Sequence, residues 1–146
     1  MAAKVLESIQ IIGTSQLPST MSILLPKAPS GSLASNIVSP VIDIKRFDQI
    51  AIQMNVTTAN AIGSFVVEAS LDYITSGSAT DGSVLNAGTW VPFVVTDSQG
   101  NPIAVSAASV NHLLNLQQIA VPFIRVRYLA TSGTGTCNVF LSGKSI

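Results

Sequence analysis

Charge is what this sequence has least of. Lys, Arg, Asp and Glu make up 10% of its 146 residues, against the ~25% of an average soluble domain. Seven basic residues stand against seven acidic ones, spread along the chain, for a formal net charge of +0. Without a basic cluster the electrostatic term that drives nucleic-acid binding has no source, so no nucleic-acid partner is expected. Cys137 is the only cysteine, which excludes an intrachain disulfide, and His112 is the only histidine. A zinc site needs more ligands than these two supply. No apolar run approaches the ~20 residues of a membrane-spanning helix, and no membrane partner is expected. The opening MAAKVLESIQIIG carries Lys4, but Glu7 and Gln10 interrupt its apolar run. The expectation is a chain without a secretion signal, made in a cytoplasm. Sustained helical periodicity is missing too.

Alternation is what the sequence has instead. Residues 48–56 place Ile50, Ile52, Met54 and Val56 on one face, and residues 63–73 do the same with Phe65, Val67, Ala69 and Leu71. Such period-2 patterns describe half-buried strands. Residues 41–44 form a short strand. Residues 89–95 hold the only Trp and Pro92, which suits an edge strand. Residues 5–12 and 110–116 are each either a strand or a short helical piece. Turn signals separate these runs at Asp81-Gly82 and Gly100-Asn101-Pro102. Near the C-terminus two alternating runs flank Gly133 and Gly135. Ile124, Val126 and Tyr128 share one face of the first, and Cys137, Val139 and Leu141 one face of the second. The pattern predicts a hairpin with Tyr128 opposite Val139 and Arg127 opposite Phe140, the guanidinium over the ring. Short strands without βαβ spacing argue an all-β fold, an antiparallel β-sandwich of jelly-roll or immunoglobulin-like type.

The first forty residues read differently. Pro18, Pro26, Pro29 and Pro40 forbid a helix and disrupt sheet ladders. Yet Ile23, Leu24, Leu25, Leu33, Ile37 and Val38 are too apolar for a solvated linker. We expect residues 1–40 to be an extended N-terminal arm and residues 41–146 to be the sandwich domain. The arm packs either on its own domain or on a neighbour.

Chemistry is hard to find. His112 sits among Asn111, Leu113 and Leu114, with no acid–base constellation. Cys137 falls on an apolar strand face and reads as a small buried hydrophobe. A glycosidase needs two carboxylates across a cleft. Glu68 and Asp72 share a face, but Arg125 and Arg127 share one as well, and cross-strand salt bridges account for all four. The alternative is that the arginine pair recognises a partner's carboxylate or backbone. Asp81 is a single acid in its loop, too few to assert calcium, and residues 132–135 lack the Lys and helix of a phosphate loop. Trp90, Tyr73 and Tyr128 could stack on a sugar, although Tyr128 is assigned inward. The expectation is no enzyme, no metal and no cofactor. Candidate partner-binding residues are Ile23, Leu24, Leu25, Ile37, Val38, Trp90, Arg125 and Arg127.

Three stretches carry a resemblance: GSFVVEASLDY at 63–73 with GTWVP at 88–92, then LNLQQ at 114–118 leading to PFIRVRY at 122–128, and finally GTGT at 133–136 with FLSGK at 140–144. Together they resemble small virion structural proteins of tailed bacteriophages, over roughly residues 50–146. The resemblance implies a β-sandwich displayed in many copies on a particle, as a capsid cement or decoration subunit located in the virion. Its implied partners are the major capsid protein, other virion proteins or its own copies in a homo-oligomer. It implies no catalytic residue. The chain departs from the pattern at Cys137, where a larger aliphatic residue is expected, and in the proline-spaced arm. A tail- or fibre-associated module binding a host-surface glycan through Trp90 is the second expectation.

Overall fold

The computed structural model describes residues 6–13, 28–58, 60–75, 84–93, 104–105, 110–117 and 119–145. Among the described residues twelve strands run in chain order: β1 (Leu6–Ile12), β2 (Ile37–Val38), β3 (Ile42–Asp43), β4 (Gln49–Thr58), β5 (Ile62–Ser70), β6 (Ile74–Thr75), β7 (Val84–Asn86), β8 (Val91–Phe93), β9 (Ala104–Val105), β10 (Val110–Gln117), β11 (Phe123–Ser132) and β12 (Gly135–Lys144). Among the described residues there is no helix. A four-stranded antiparallel sheet has the order β1-β12-β4-β10, and a six-stranded sheet the order β2-β11-β5-β8, with β3 also on β11 and β9 also on β5. β6 and β7 form a separate ribbon. The chain is the expected all-β antiparallel sandwich.

Alternation built the core as expected, except at Leu71, which follows the end of β5 and is exposed rather than inward. Ile50, Ile52, Met54 and Val56 of β4 face Phe65 and Val67 of β5 in one cluster with Ile124, Val126, Tyr128, Cys137, Val139 and Leu141, all buried. The C-terminal hairpin, however, does not exist. β11 pairs with β5, β2 and β3, while β12 pairs with β4 and β1, so the two strands lie in opposite sheets. Phe140 is on the outer face of the other sheet and Arg127 does not cover it. An apolar face specifies only that a strand looks at the core, and two such strands satisfy this side by side or across the sandwich. Gly133, with φ 82°, turns the corner between β11 and β12. β4 and β5 also arch from one sheet to the other, and the two arches are stitched together. Asn60 N–H donates to the Thr134 carbonyl at 3.2 Å, and Thr134 N–H donates to Asn60 Oδ1 at 2.7 Å.

The boundary drawn at residue 40 is also corrected. Residues 6–12 are a sheet strand: β1 runs along β12 from Leu6 opposite Lys144 to Ile12 opposite Val139, burying Ile9, Ile11 and Ile12. Where β1 leaves, residues 31–33 take over the same edge. Cys137 N–H donates to the Gly31 carbonyl at 2.8 Å and Leu33 N–H to the Gly135 carbonyl at 2.9 Å. Gly13 N–H donates to the Pro29 carbonyl at 2.9 Å, so the chain departs and returns at neighbouring points. Pro40 interrupts the strand formed by β2 and β3, and Ser39 beside it ties the chain to β11. Its N–H donates to the Val126 carbonyl and its hydroxyl accepts the Val126 N–H at 2.8 Å. Pro40 breaks a ladder without detaching the chain. Ile23, Leu24 and Leu25 lie outside the described residues.

Candidate interaction surface

The two sheets turn different outer faces to solvent. On the six-stranded sheet Arg125 stands directly opposite Glu68. Arg125 Nε donates to Glu68 Oε1 at 2.8 Å and Arg127 Nη1 to Oε2 at 3.1 Å. The Glu68 side chain is only 6% exposed, so its carboxylate depends on both guanidinium groups. Arg125 also covers the Trp90 ring, 4.3 Å from its centroid. Trp90 Nε1 donates to the Ala87 carbonyl at 2.9 Å, and Tyr73 bridges Trp90 to Phe123 with ring centroids 5.8 and 5.0 Å apart. Lys45 lies 5.0 Å over the Phe123 ring. Asp72 faces away from this cluster: its Oδ1 accepts Ser70 Oγ at 2.8 Å and Thr89 N–H at 2.7 Å. Those bonds, the Thr89 amide first, hold the Asp72 carboxyl below its ordinary value. The charges of this face answer one another.

The four-stranded sheet is the opposite case. Its inward residues are apolar, so alternation sends their neighbours outward in rows across the strands. Ser8, Ser142, Ala51 and Asn115 make one row. Gln10, Phe140, Gln53 and Leu113 make the next, and Asn138, Asn55 and Asn111 the third. None of these is charged. Amides bond among themselves: Gln10 Nε2 donates to Asn138 Oδ1 at 3.1 Å and Gln53 Nε2 to Asn55 Oδ1 at 2.9 Å. Half-buried Phe140 and Leu113, which is 71% exposed, add apolar area around a shallow depression of about 460 Å³. Depletion of charge with an aromatic at the centre is the composition of a protein–protein interface core.

Of the residues expected to meet partners, the structure gathers only Trp90, Arg125 and Arg127, and it turns both arginines onto Glu68. Ile37 is in the core opposite Tyr128, 5% exposed, because β2 continues the six-stranded sheet; its expectation is corrected. Val38 is exposed beside Arg127. The aromatic trio is not assembled. Tyr128 is fully buried on the inner face, Tyr73 is 5% exposed, and Trp90 is engaged by Arg125. Cys137 is buried and its thiol is pushed up to about 12 by desolvation, which leaves no thiolate at neutral pH. Among the described residues no three His, Cys, Asp or Glu side chains gather as metal ligands, and Asp81 lies outside those residues. The charge-free face was missed by sequence reasoning, although the signal was there: Ala51, Gln53 and Asn55 alternate with the buried residues of β4. No protein-family model matches this chain, and no curated protein is significantly similar to it.

Proposed function

We propose that the chain is a non-enzymatic structural subunit of a bacteriophage virion, a capsid cement or decoration protein that binds preformed protein surfaces. The observation that carries this reading is the outer face of the four-stranded sheet, uncharged across three rows of side chains. A flat array of Asn, Gln and Ser around Phe140 and Leu113 suits contact with another folded surface, where buried unpaired charge would be costly. We also read the sandwich as a jelly roll, an architecture that viral capsid domains use. Numbering β1, β2 with β3, β4, β5, β8, β10, β11 and β12 as first to eighth strand, the sheets are ordered 1-8-3-6 and 2-7-4-5, which is jelly-roll order. Fold alone does not assign function; the face gives the reading its content. A glycan-binding tail module fits less well, because Trp90 is held by Arg125 and its indole N–H is already bonded to Ala87.

The test is localisation. Particles carrying the chain, labelled through it and imaged in negative stain, should show label over the capsid shell. Label confined to the tail favours the glycan reading, and particles without label remove both.

A further inference from the structure

We propose that two copies of this chain join through β10, edge to edge and antiparallel about a twofold axis. The four-stranded sheet then runs unbroken from one copy into the other. This deepens the reading of the chain as an assembling subunit and rests on it. A free sheet edge presents unpaired N–H and C=O groups that template another strand, and proteins block such edges with charge, proline, bulges or short strands. Among the described strands the other edges of the two sandwich sheets are blocked. β1 carries Glu7 and a bulge between Gln10 and Ile12. β2 and β3 are two residues each, with Pro40 between them. β8 is three residues long with Pro92 at its centre. β10 has none of these devices. It is eight residues without charge or proline, in unbroken register with β4 from Val110 opposite Val56 to Gln117 opposite Gln49. Among the described strands β4 is its only neighbour.

The strand's own sequence identifies the occupant. A twofold axis perpendicular to the sheet sets residues of the same face opposite one another. With Leu113 opposite Leu113 of the second copy, Asn111 faces Asn115 on both sides of it, and His112 faces Leu114 on the inner face. A slip of two residues either way sets Leu113 against an asparagine. Only the centred register joins leucine to leucine and amide to amide. Leu113, 71% exposed in a single copy, is covered by its twin. The rows beside it are uncharged, so a second copy meets no like-charge repulsion.

Sedimentation and residue-resolved amide exchange on the intact chain test this. Alternate amides of an edge strand point away from its single neighbour. As concentration rises, a dimer should form and those alternate amides of β10 should gain at least tenfold protection. Leu113→Lys sets two ammonium groups against each other at the axis. It should raise the dimer Kd at least tenfold without moving the melting temperature, because the side chain is exposed. A chain that stays monomeric overturns the proposal, and so does a dimer in which those amides still exchange as in the monomer. Attachment to particles is measured in parallel: a monomer that still attaches removes only the edge pairing, and one that does not attach removes the assembly reading too.

Discussion

The two sheets of this sandwich share one core and present opposite surfaces. The six-stranded sheet carries its charges outward and neutralises them locally, with Glu68 between Arg125 and Arg127 and Arg125 over Trp90. The four-stranded sheet carries none across its three central rows. A face whose polar groups are already satisfied gains little from a partner. An uncharged face with exposed apolar area loses little on desolvation and gains from burial. On the proposed reading, the charged surface serves stability and the uncharged one recognition.

The largest effect tests whether both sheets need the first forty residues. Deleting residues 1–40 removes β1 from one sheet and β2 from the other, with Ile9, Ile11, Ile12, Leu33 and Ile37. Each such side chain contributes roughly 1.5–3 kcal/mol, against a whole-domain stability of ~5–15 kcal/mol. The truncated chain should not melt cooperatively in calorimetry. Replacing residues 14–28 by a short Gly-Ser link should leave a cooperative transition, because Gly13 and Pro29 already meet.

Next comes the charged face. Glu68→Ala leaves two guanidinium groups over an emptied site and should cost about 3 kcal/mol in urea unfolding, at the low end for a broken buried pair because the arginines reach water. Attachment of the folded fraction should not change.

A smaller effect concerns Asp72. Its carboxyl is held below the ordinary aspartate value by hydrogen bonds from Thr89 and Ser70. The stability it adds is therefore fully present above the unfolded pKa and is lost as pH falls through the lower folded value. Asp72→Asn should flatten the acid limb of stability below about pH 4 and leave the rest of the profile parallel, as denaturant titrations from pH 6 to pH 2 would show.

Much of this architecture was legible, in a particular sense. Alternation in residues 48–56, 63–73 and 123–141 told which side chains face the core, and those assignments hold except at Leu71, which lies past the end of β5 and is 75% exposed. It could not tell which strand is whose neighbour. Inward residues look the same whether the next strand lies beside them or across the core, and the Gly133 corner was therefore taken for a hairpin. Prolines misled in a related way. Pro40 does break a ladder, but the Ser39 hydroxyl beside it accepts the Val126 N–H, a side-chain tie to β11 that proline spacing does not announce. The candidate face is hard to read from sequence because charged and aromatic residues are the usual marks of a site, while this surface is distinguished by lacking charge.

The central claim is tested most directly by placing one charge on each face. Gln53→Lys puts a cation in the middle row of the four-stranded sheet, and Val38→Lys puts one on the six-stranded sheet, where Val38 is exposed. Both sites reach solvent, so each melting temperature should reflect a change within about 0.5 kcal/mol. In co-sedimentation with particles stripped of the chain, Gln53→Lys should lose at least tenfold in affinity while Val38→Lys attaches like the unaltered protein. Undiminished attachment of Gln53→Lys, or loss with Val38→Lys alone, would contradict the account.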